Sequence, residues 1–264
     1  MKLVAFDVDG TLVGRDLLVR PRVRAAIADM QSRGIAGCLI TGRMYRSAVG
    51  YARELDFQTP LVCYQGAAIV DPRDDAVLRE VPVKAAVVKE VMALARELGV
   101  HLQLYRNDRY FCEQANQYSA LYARLSGVEP VIVPSLKAEF AGSAATKAVA
   151  IADPPRASEL VQRFADQLQS RAYVTRSYPE FVEILSPLVD KGEALRFVAG
   201  RLGVSMQDVM AIGDSWNDAP LLRAAGLGIA MGSAPPELLA VAGAVVGDVS
   251  QDGVAEALER YAVA

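Results

Sequence analysis

Three features of the sequence predict an α/β protein carrying an inserted α+β segment. Short β-branched runs alternate with helical periods at both ends of the chain, the mark of a parallel sheet flanked by helices. The middle of the chain instead reads as strands in consecutive pairs, which favours an antiparallel sheet with helices to one side. Four polar motifs follow apolar strand-like runs, where open α/β sheets bind ligands.

In chain order, Leu3 to Val8 reads as a strand, Pro21 to Arg33 as a helix opened by proline, and Ile35 to Ile40 as a second strand. A helix over Arg43 to Leu55 and a strand at Leu61 to Tyr64 follow. The middle segment opens with a helix over Ala85 to Leu98, strands at His101 to Tyr105 and Tyr110 to Glu113, and a helix over Gln114 to Leu125. It continues with a strand at Lys147 to Ile151, a helix at Ala157 to Leu168, and strands at Ala172 to Arg176 and Phe181 to Leu185. The first rhythm then resumes: helix Lys191 to Leu202, strand Val209 to Ile212, helix Asp218 to Ala225, strand Leu227 to Ala230. The expected organisation is a discontinuous core over 1–82 and 187–264 with an inserted domain over 83–186.

Composition narrows the function. The chain has 264 residues, 52% of them hydrophobic, enough to bury a sizeable core, so disorder is excluded as the dominant state. A net charge of -3, with no block of like charge, argues against nucleic acid or an anionic membrane as partner. His101 is the sole histidine, which excludes a two-histidine zinc helix and makes a Ser-His-Asp triad a poor fit. It is expected to be a strand residue. Cys38, Cys63 and Cys112 are odd in number, lie in apolar runs and are expected to be buried and reduced. The start MKLVAFDVDG has no apolar secretion segment, and Leu227 to Gly247 is interrupted by Pro235, Pro236 and Glu237. A cytoplasmic protein with no obligate protein partner is the expectation.

The chemistry then falls to carboxylates and lysine. In Asp7-Val8-Asp9-Gly10-Thr11 the two aspartates, two apart in an extended chain, point the same way from a strand end. An EF-hand loop does not fit, because glycine comes too early and Leu18 stands where a glutamate is needed; a plain turn remains open for this segment alone. Thr41-Gly42-Arg43 offers a hydroxyl and backbone N–H groups at a helix start, as an anion site or an ordinary cap. Lys191 opens a helix after Asp190. Gly213-Asp214-Ser215-Trp216-Asn217-Asp218 puts two carboxylates and an amide at one strand-to-helix turn, more than capping requires. Converging carboxylates would repel unless a hard cation sat among them, and Mg²⁺ takes oxygen ligands while leaving room for phosphate. Thr41, Gly42, Asn217 and Lys191 would meet the remaining phosphate oxygens, and the whole set fits phosphoryl transfer.

The order DVDGT, TGR, lysine, GDSWND resembles the haloacid dehalogenase superfamily of phosphatases. The position of the insert, together with Ala230-Met231-Gly232-Ser233-Ala234 and Gln251-Asp252-Gly253-Val254-Ala255, is similar to the Cof-type subfamily with a C2B cap. The resemblance implies a Rossmann-like core, a mobile cap and a Mg²⁺-dependent phosphatase acting on a small phosphorylated metabolite, such as a sugar phosphate or phosphorylated cofactor. It further implies Asp7 as nucleophile and Asp9 as general acid and base. The metal site would be formed by Asp7, the Asp9 carbonyl and Asp214, with Asp218 holding metal waters or orienting Lys191. Arg106, Asn107, Arg109, Tyr110, Lys147, Arg176 and Tyr178 are the cap candidates for substrate choice. Gln65 stands where the subfamily usually has asparagine. A phosphomutase on the same scaffold and a catalytically silent phosphate sensor are the alternatives.

Overall fold

The computed structural model describes residues 1–263. In chain order, the first stretch holds β1 (Leu3–Phe6), α1 (Pro21–Ser32), β2 (Ala36–Leu39), α2 (Tyr45–Glu54), β3 (Leu61–Cys63), β4 (Ala68–Val70) and β5 (Val77–Glu80). The middle holds α3 (Ala85–Glu97), β6 (His101–Arg106), β7 (Arg109–Cys112), α4 (Gln117–Ser126), β8 (Val131–Ile132) and α5 (Leu136–Glu139). It ends with β9 (Lys147–Ile151), α6 (Pro154–Leu168), β10 (Tyr173–Thr175) and β11 (Phe181–Leu185). The last stretch holds α7 (Lys191–Leu202), β12 (Val209–Gly213), α8 (Ala219–Ala224), β13 (Leu227–Met231), α9 (Pro236–Leu239), β14 (Ala244–Val246) and α10 (Gly253–Ala257).

The chain divides into two compact units. One comprises Met1–Gly42, Ala48–Leu78 and the stretch from Asp190 onward; the other comprises Arg43–Ser47 and Arg79–Val189. The first is built on a parallel five-stranded sheet in the order β14-β13-β12-β1-β2. β1, β2, β12 and β13 are almost wholly buried, as expected where helices cover both faces of a parallel sheet, and the edge strand β14 is partly exposed. Leu3, Ala5, Cys38, Val209 and Ala211 share one apolar cluster with Leu195 and Val198 of α7 and Leu221 and Leu222 of α8. The central pairing sets Phe6 beside Ile212, so β1 and β12 end side by side. A separate small sheet of order β3-β4-β5 follows the second βα unit.

The second unit is a six-stranded sheet of order β10-β11-β9-β6-β7-β8, antiparallel except for the parallel pair β7 and β8. Alternate residues Leu102, Leu104, Ala148, Ala150, Val182 and Ile184 form one face of this sheet and pack with Val88 and Val91 of α3 and Leu160 and Phe164 of α6. The other face carries Tyr105, which stacks on Tyr110 and meets the edge of Tyr122 of α4.

Several element limits differ from the expected ones for identifiable reasons. The helix expected from Gln114 starts at Gln117, because Asn116 caps it through the Tyr118 and Ser119 N–H groups. The helix expected from Ala157 starts three residues earlier at Pro154, since proline is well suited to a first helical turn. β1 stops at Phe6 because the chain turns back on itself beyond it, with the Thr11 and Val13 N–H groups donating to the Val8 carbonyl. β4, β5, β8, β14 and the short helices α5, α9 and α10 escape the sequence reading, being too short for periodicity to register. Cys38, Cys63 and Cys112 are buried and free, as expected. Among the described residues, no helix is long and apolar enough to cross a membrane.

His101 begins β6, and burial pushes its imidazole down to about 4. Asn116 spends its side-chain oxygen on its own helix cap, so its Nδ2 is left to donate to His101 Nδ1 at 3.1 Å, an arrangement only the unprotonated nitrogen accepts. As pH falls from about 6.5, the ordinary histidine value, towards about 4, the unfolded chain binds a proton that the folded chain refuses, and stability declines across that window. Urea unfolding at pH 7 and pH 5 is expected to show a smaller acid loss for His101→Gln than for the unaltered chain; equal losses would show that His101 is not the group responsible.

Candidate active site

The site begins with the register of the two central strands. Asp7 N–H donates to the Ile212 carbonyl at 3.0 Å, so Asp7 is the first residue past β1 and lies beside the end of β12, where Asp214 follows. The two carboxylates therefore meet at one edge of the sheet. Gly10 lies in the turn after β1 with φ +81°, and a Cβ there would collide with the Asp214 carboxylate. Glycine is thus required twice, for backbone angle and for space. Thr11 Oγ1 then donates to Asp214 Oδ1 at 3.1 Å and fixes that side chain.

Lys191 reaches the same point from α7. Asp190 caps that helix by accepting from Glu193 N–H at 2.8 Å, which places Lys191 at its first residue. Its Nζ is buried and donates to Asp7 Oδ1 at 2.5 Å and Asp218 Oδ1 at 2.6 Å. Asp218 is fully buried, and its Oδ2 accepts from the Asp214 and Ser215 N–H groups, each at 3.0 Å. Asp218 therefore orders the turn after β12 and holds the lysine at once. The helix expected over Asp218 to Ala225 starts at Ala219, after a single tight turn at Trp216–Asp218 that aims this side chain inward.

The electrostatics are those of too many carboxylates for one ammonium. Burial pushes the Asp7 carboxyl up to about 7, with Lys191 opposing and the charges of Asp218 and Asp9 adding to the rise. Asp214 is likewise held well above the carboxylate range, by burial and then by Asp7 and Asp218. Burial alone would lower Lys191, but the charges and hydrogen bonds of Asp218 and Asp7 more than reverse this and keep it protonated. Asp7, Asp214 and Asp218 each offer an oxygen, all within 4.8 Å of one another. This is a hard oxygen donor set with surplus negative charge, and it fits a small divalent cation such as Mg²⁺.

Of the remaining expected residues, Thr41 is buried just beyond β2, with its N–H on the Val62 carbonyl at 3.0 Å, and Gly42 follows it. Asn217 is buried in the turn after β12, its Nδ2 donating to Gln65 Oε1 at 2.9 Å. Asp9 is half-buried in the loop after β1, and its carboxylate is not part of the close group of three. Two further residues complete this surrounding without a role expected from their motif: Thr11 in the loop after β1, and Gln65, marked in the sequence only as a departure from the usual asparagine, in the turn directly after β3.

The candidates in the second unit are not gathered into one group. Arg106 pairs with Glu139 and lies over the Phe140 ring at 4.5 Å. Arg109 is exposed near Phe111, and Asn107 forms the β6–β7 turn with φ 53°. Arg176 donates to Ser158 Oγ at 3.0 Å and the Pro179 carbonyl at 2.8 Å. Tyr110 is buried with its hydroxyl on the Val128 carbonyl, and Tyr178 packs on Phe181. Lys147 differs: it is buried, pairs with the equally buried Glu183 at 2.9 Å, and lies 5.1 Å from the Tyr105 ring centre.

A family profile described as haloacid dehalogenase-like hydrolase matches residues 4–258. Among curated proteins, the chain is 28% identical to a 5-amino-6-(5-phospho-D-ribitylamino)uracil phosphatase of Bacillus subtilis (strain 168), covering 98% of this chain and 97% of that one. It is 25% identical to a pyridoxal phosphate phosphatase of Escherichia coli (strain K12), covering 99% of each. Among solved structures, a haloacid dehalogenase-like hydrolase from Bacteroides thetaiotaomicron superposes with a TM-score of 0.85 at 27% identity, over 98% of both chains.

Replacing Lys191 by methionine would leave Asp7 and Asp218 buried without their shared ammonium. Removing one partner of a buried ionic group costs roughly 3–5 kcal/mol. Urea unfolding of Lys191→Met in metal-free buffer is expected to show a loss of that order at pH 7, shrinking at pH 5 as the carboxylates take up protons. A loss under about 1 kcal/mol would show that these charges are not mutually dependent.

Proposed function

The chain belongs to the haloacid dehalogenase-like hydrolases, and from that premise we propose that it hydrolyses the phosphate monoester of a small metabolite through an aspartyl-phosphate on Asp7. The observation that carries this reading is the Lys191 ammonium shared by Asp7 and Asp218, with Asp214 completing the acidic group. A nucleophilic carboxylate needs a fixed direction and a counter-charge, and Lys191 provides both.

In this reading Asp7 attacks phosphorus in line, a bond forms from its carboxylate oxygen, and the bond to the leaving oxygen breaks. Asp9 protonates that oxygen and then takes a proton from the water that releases phosphate. Thr41, the Gly42 N–H, Asn217 and Lys191 hold the oxygens that do not react. Mg²⁺ held by Asp7, the Asp9 carbonyl and Asp214, with Asp218 behind them, would supply positive charge that keeps Asp7 ionised against its burial. The relatives named for a phosphorylated pyrimidine intermediate and for pyridoxal phosphate support a sugar phosphate or phosphorylated cofactor as substrate class. Lys147 and Arg176, with Arg106 and Arg109, are the proposed determinants of which ester is accepted, and Lys147 has the strongest case because its charge is buried.

The purified chain with Mg²⁺ is expected to release inorganic phosphate from members of a panel of phosphorylated metabolites, and to stop when a chelator removes the metal. Asp7→Asn is expected to abolish turnover. Asp9→Asn is expected to retain a residue of activity about 10²- to 10⁴-fold below the parent, the usual worth of general acid-base help. Full activity in chelator, or in Asp7→Asn, would overturn the mechanism.

A further inference from the structure

We propose that Gln65 is a positioning residue that acts through Asn217, tying one end of its carboxamide so that the other end is presented to the transferring phosphoryl group. The proposal rests on the phosphatase reading in taking that ligand to be phosphate.

Gln65 lies in the turn Tyr64–Gly66 after β3, fully buried, with φ 59° and ψ 19°. Side chains rarely occupy this left-handed region, and where they do the short amide of asparagine is the favoured kind. A glutamine there needs contacts that its extra length makes possible. Two are present. The Gly42 backbone lies so close over the Gln65 carboxamide that a Cβ at position 42 would collide with its Nε2. On the other side, Gln65 Oε1 accepts from Asn217 Nδ2 at 2.9 Å, with both groups buried.

The turn is itself held to the parts of the site. Gln65 N–H donates to the Thr41 carbonyl at 3.0 Å. A Cβ on the next residue, Gly66, would meet the carbonyl of Asp190, the residue that caps the helix of Lys191. One three-residue turn therefore touches the Thr41-Gly42 loop, the start of α7 and the Asn217 turn.

The second observation is on Asn217. Its Oδ1 is buried and, among the described residues, has no hydrogen-bond partner. A buried polar atom left unmet is costly, and in a ligand site it marks the place of a ligand atom. The bond between two carboxamides also survives if both turn over, with Gln65 Nε2 donating to Asn217 Oδ1 and Asn217 Nδ2 facing outward. In that orientation the open end of Asn217 is a donor, which is what phosphate oxygens require. A glutamate at 65 could only accept, and would force the Asn217 oxygen towards the phosphate.

The test is a double-mutant cycle on kcat/KM for p-nitrophenyl phosphate and on inhibition by inorganic phosphate. Gln65→Leu is expected to lower kcat/KM and weaken phosphate inhibition by about tenfold, the worth of one hydrogen bond. In an Asn217→Ala background the same change should have no further effect. Gln65→Glu should fall below Gln65→Leu at neutral pH. Gln65→Asn suits the backbone and is one methylene too short to reach, so it serves the same cycle if Gln65→Leu fails to fold. Losses that multiply in the double variant, or a Gln65→Asn chain with parental constants, overturn the proposal. If the parent hydrolyses no ester, the cycle is read on binding of inorganic phosphate with Mg²⁺ by calorimetry. In that case the missing turnover sinks the phosphatase reading while coupling in phosphate binding sustains this one, and no phosphate binding would overturn both.

Discussion

A single ammonium organises the core of this protein. Lys191 enters from a helix start, Asp7 from the end of β1 and Asp218 from the turn after β12, and these three meet with almost no exposure to water. None of them is tolerable alone at such depth, because an unpaired buried charge is far more costly than a buried apolar group. Each is therefore a condition for the others. The Asp190 cap, the tight turn at Trp216–Asp218 and the β1–β12 register all serve to deliver these groups to one place. Even so the charges do not balance, and the raised Asp7 and Asp214 carboxyls express that imbalance. The surplus is negative, and a donor set of this kind fits a small divalent cation.

What could be read from the sequence followed how local the signal was. The α/β class, the antiparallel sheet of the middle segment and the long elements are visible because β-branched runs and helical spacing extend over enough residues. The meeting of Asp7, Lys191, Asp214 and Asp218 is visible because each follows a strand or opens a helix, and strand ends at one sheet edge converge. The short strands β4, β5, β8 and β14 carry no such period. Gln65 shows why the rest stays hidden: its partners Gly42 and Asn217 lie 23 and 152 residues away, and no local pattern announces either contact.

The second unit contrasts with the first in where it keeps its charge. Arg106, Arg109 and Arg176 reach backbone, rings or surface partners, as long basic side chains commonly do. Lys147 and Glu183 instead face each other inside the sheet, beside Tyr105, and Ser177 adds a hydrogen bond to Glu183. Such a pair contributes little net stability compared with an apolar packing of the same volume, yet removing either partner alone would leave a buried charge uncompensated.

The β1–β12 register also bears on how the chain reaches its folded state. Thr11 and Asp214, bonded across that junction, are 203 residues apart in sequence. The central ladder of the sheet is thus among the least local pairings in the molecule, and the loop-closure entropy must be met before its hydrogen bonds give any return. During synthesis β1 emerges early and must wait, unpaired on that side, while the whole intervening unit is made and can fold as a body. The acidic group cannot exist before β12 arrives. Its carboxylates are consequently brought together in one late step, and a chain arrested short of β12 would carry most of the fold and none of the completed site.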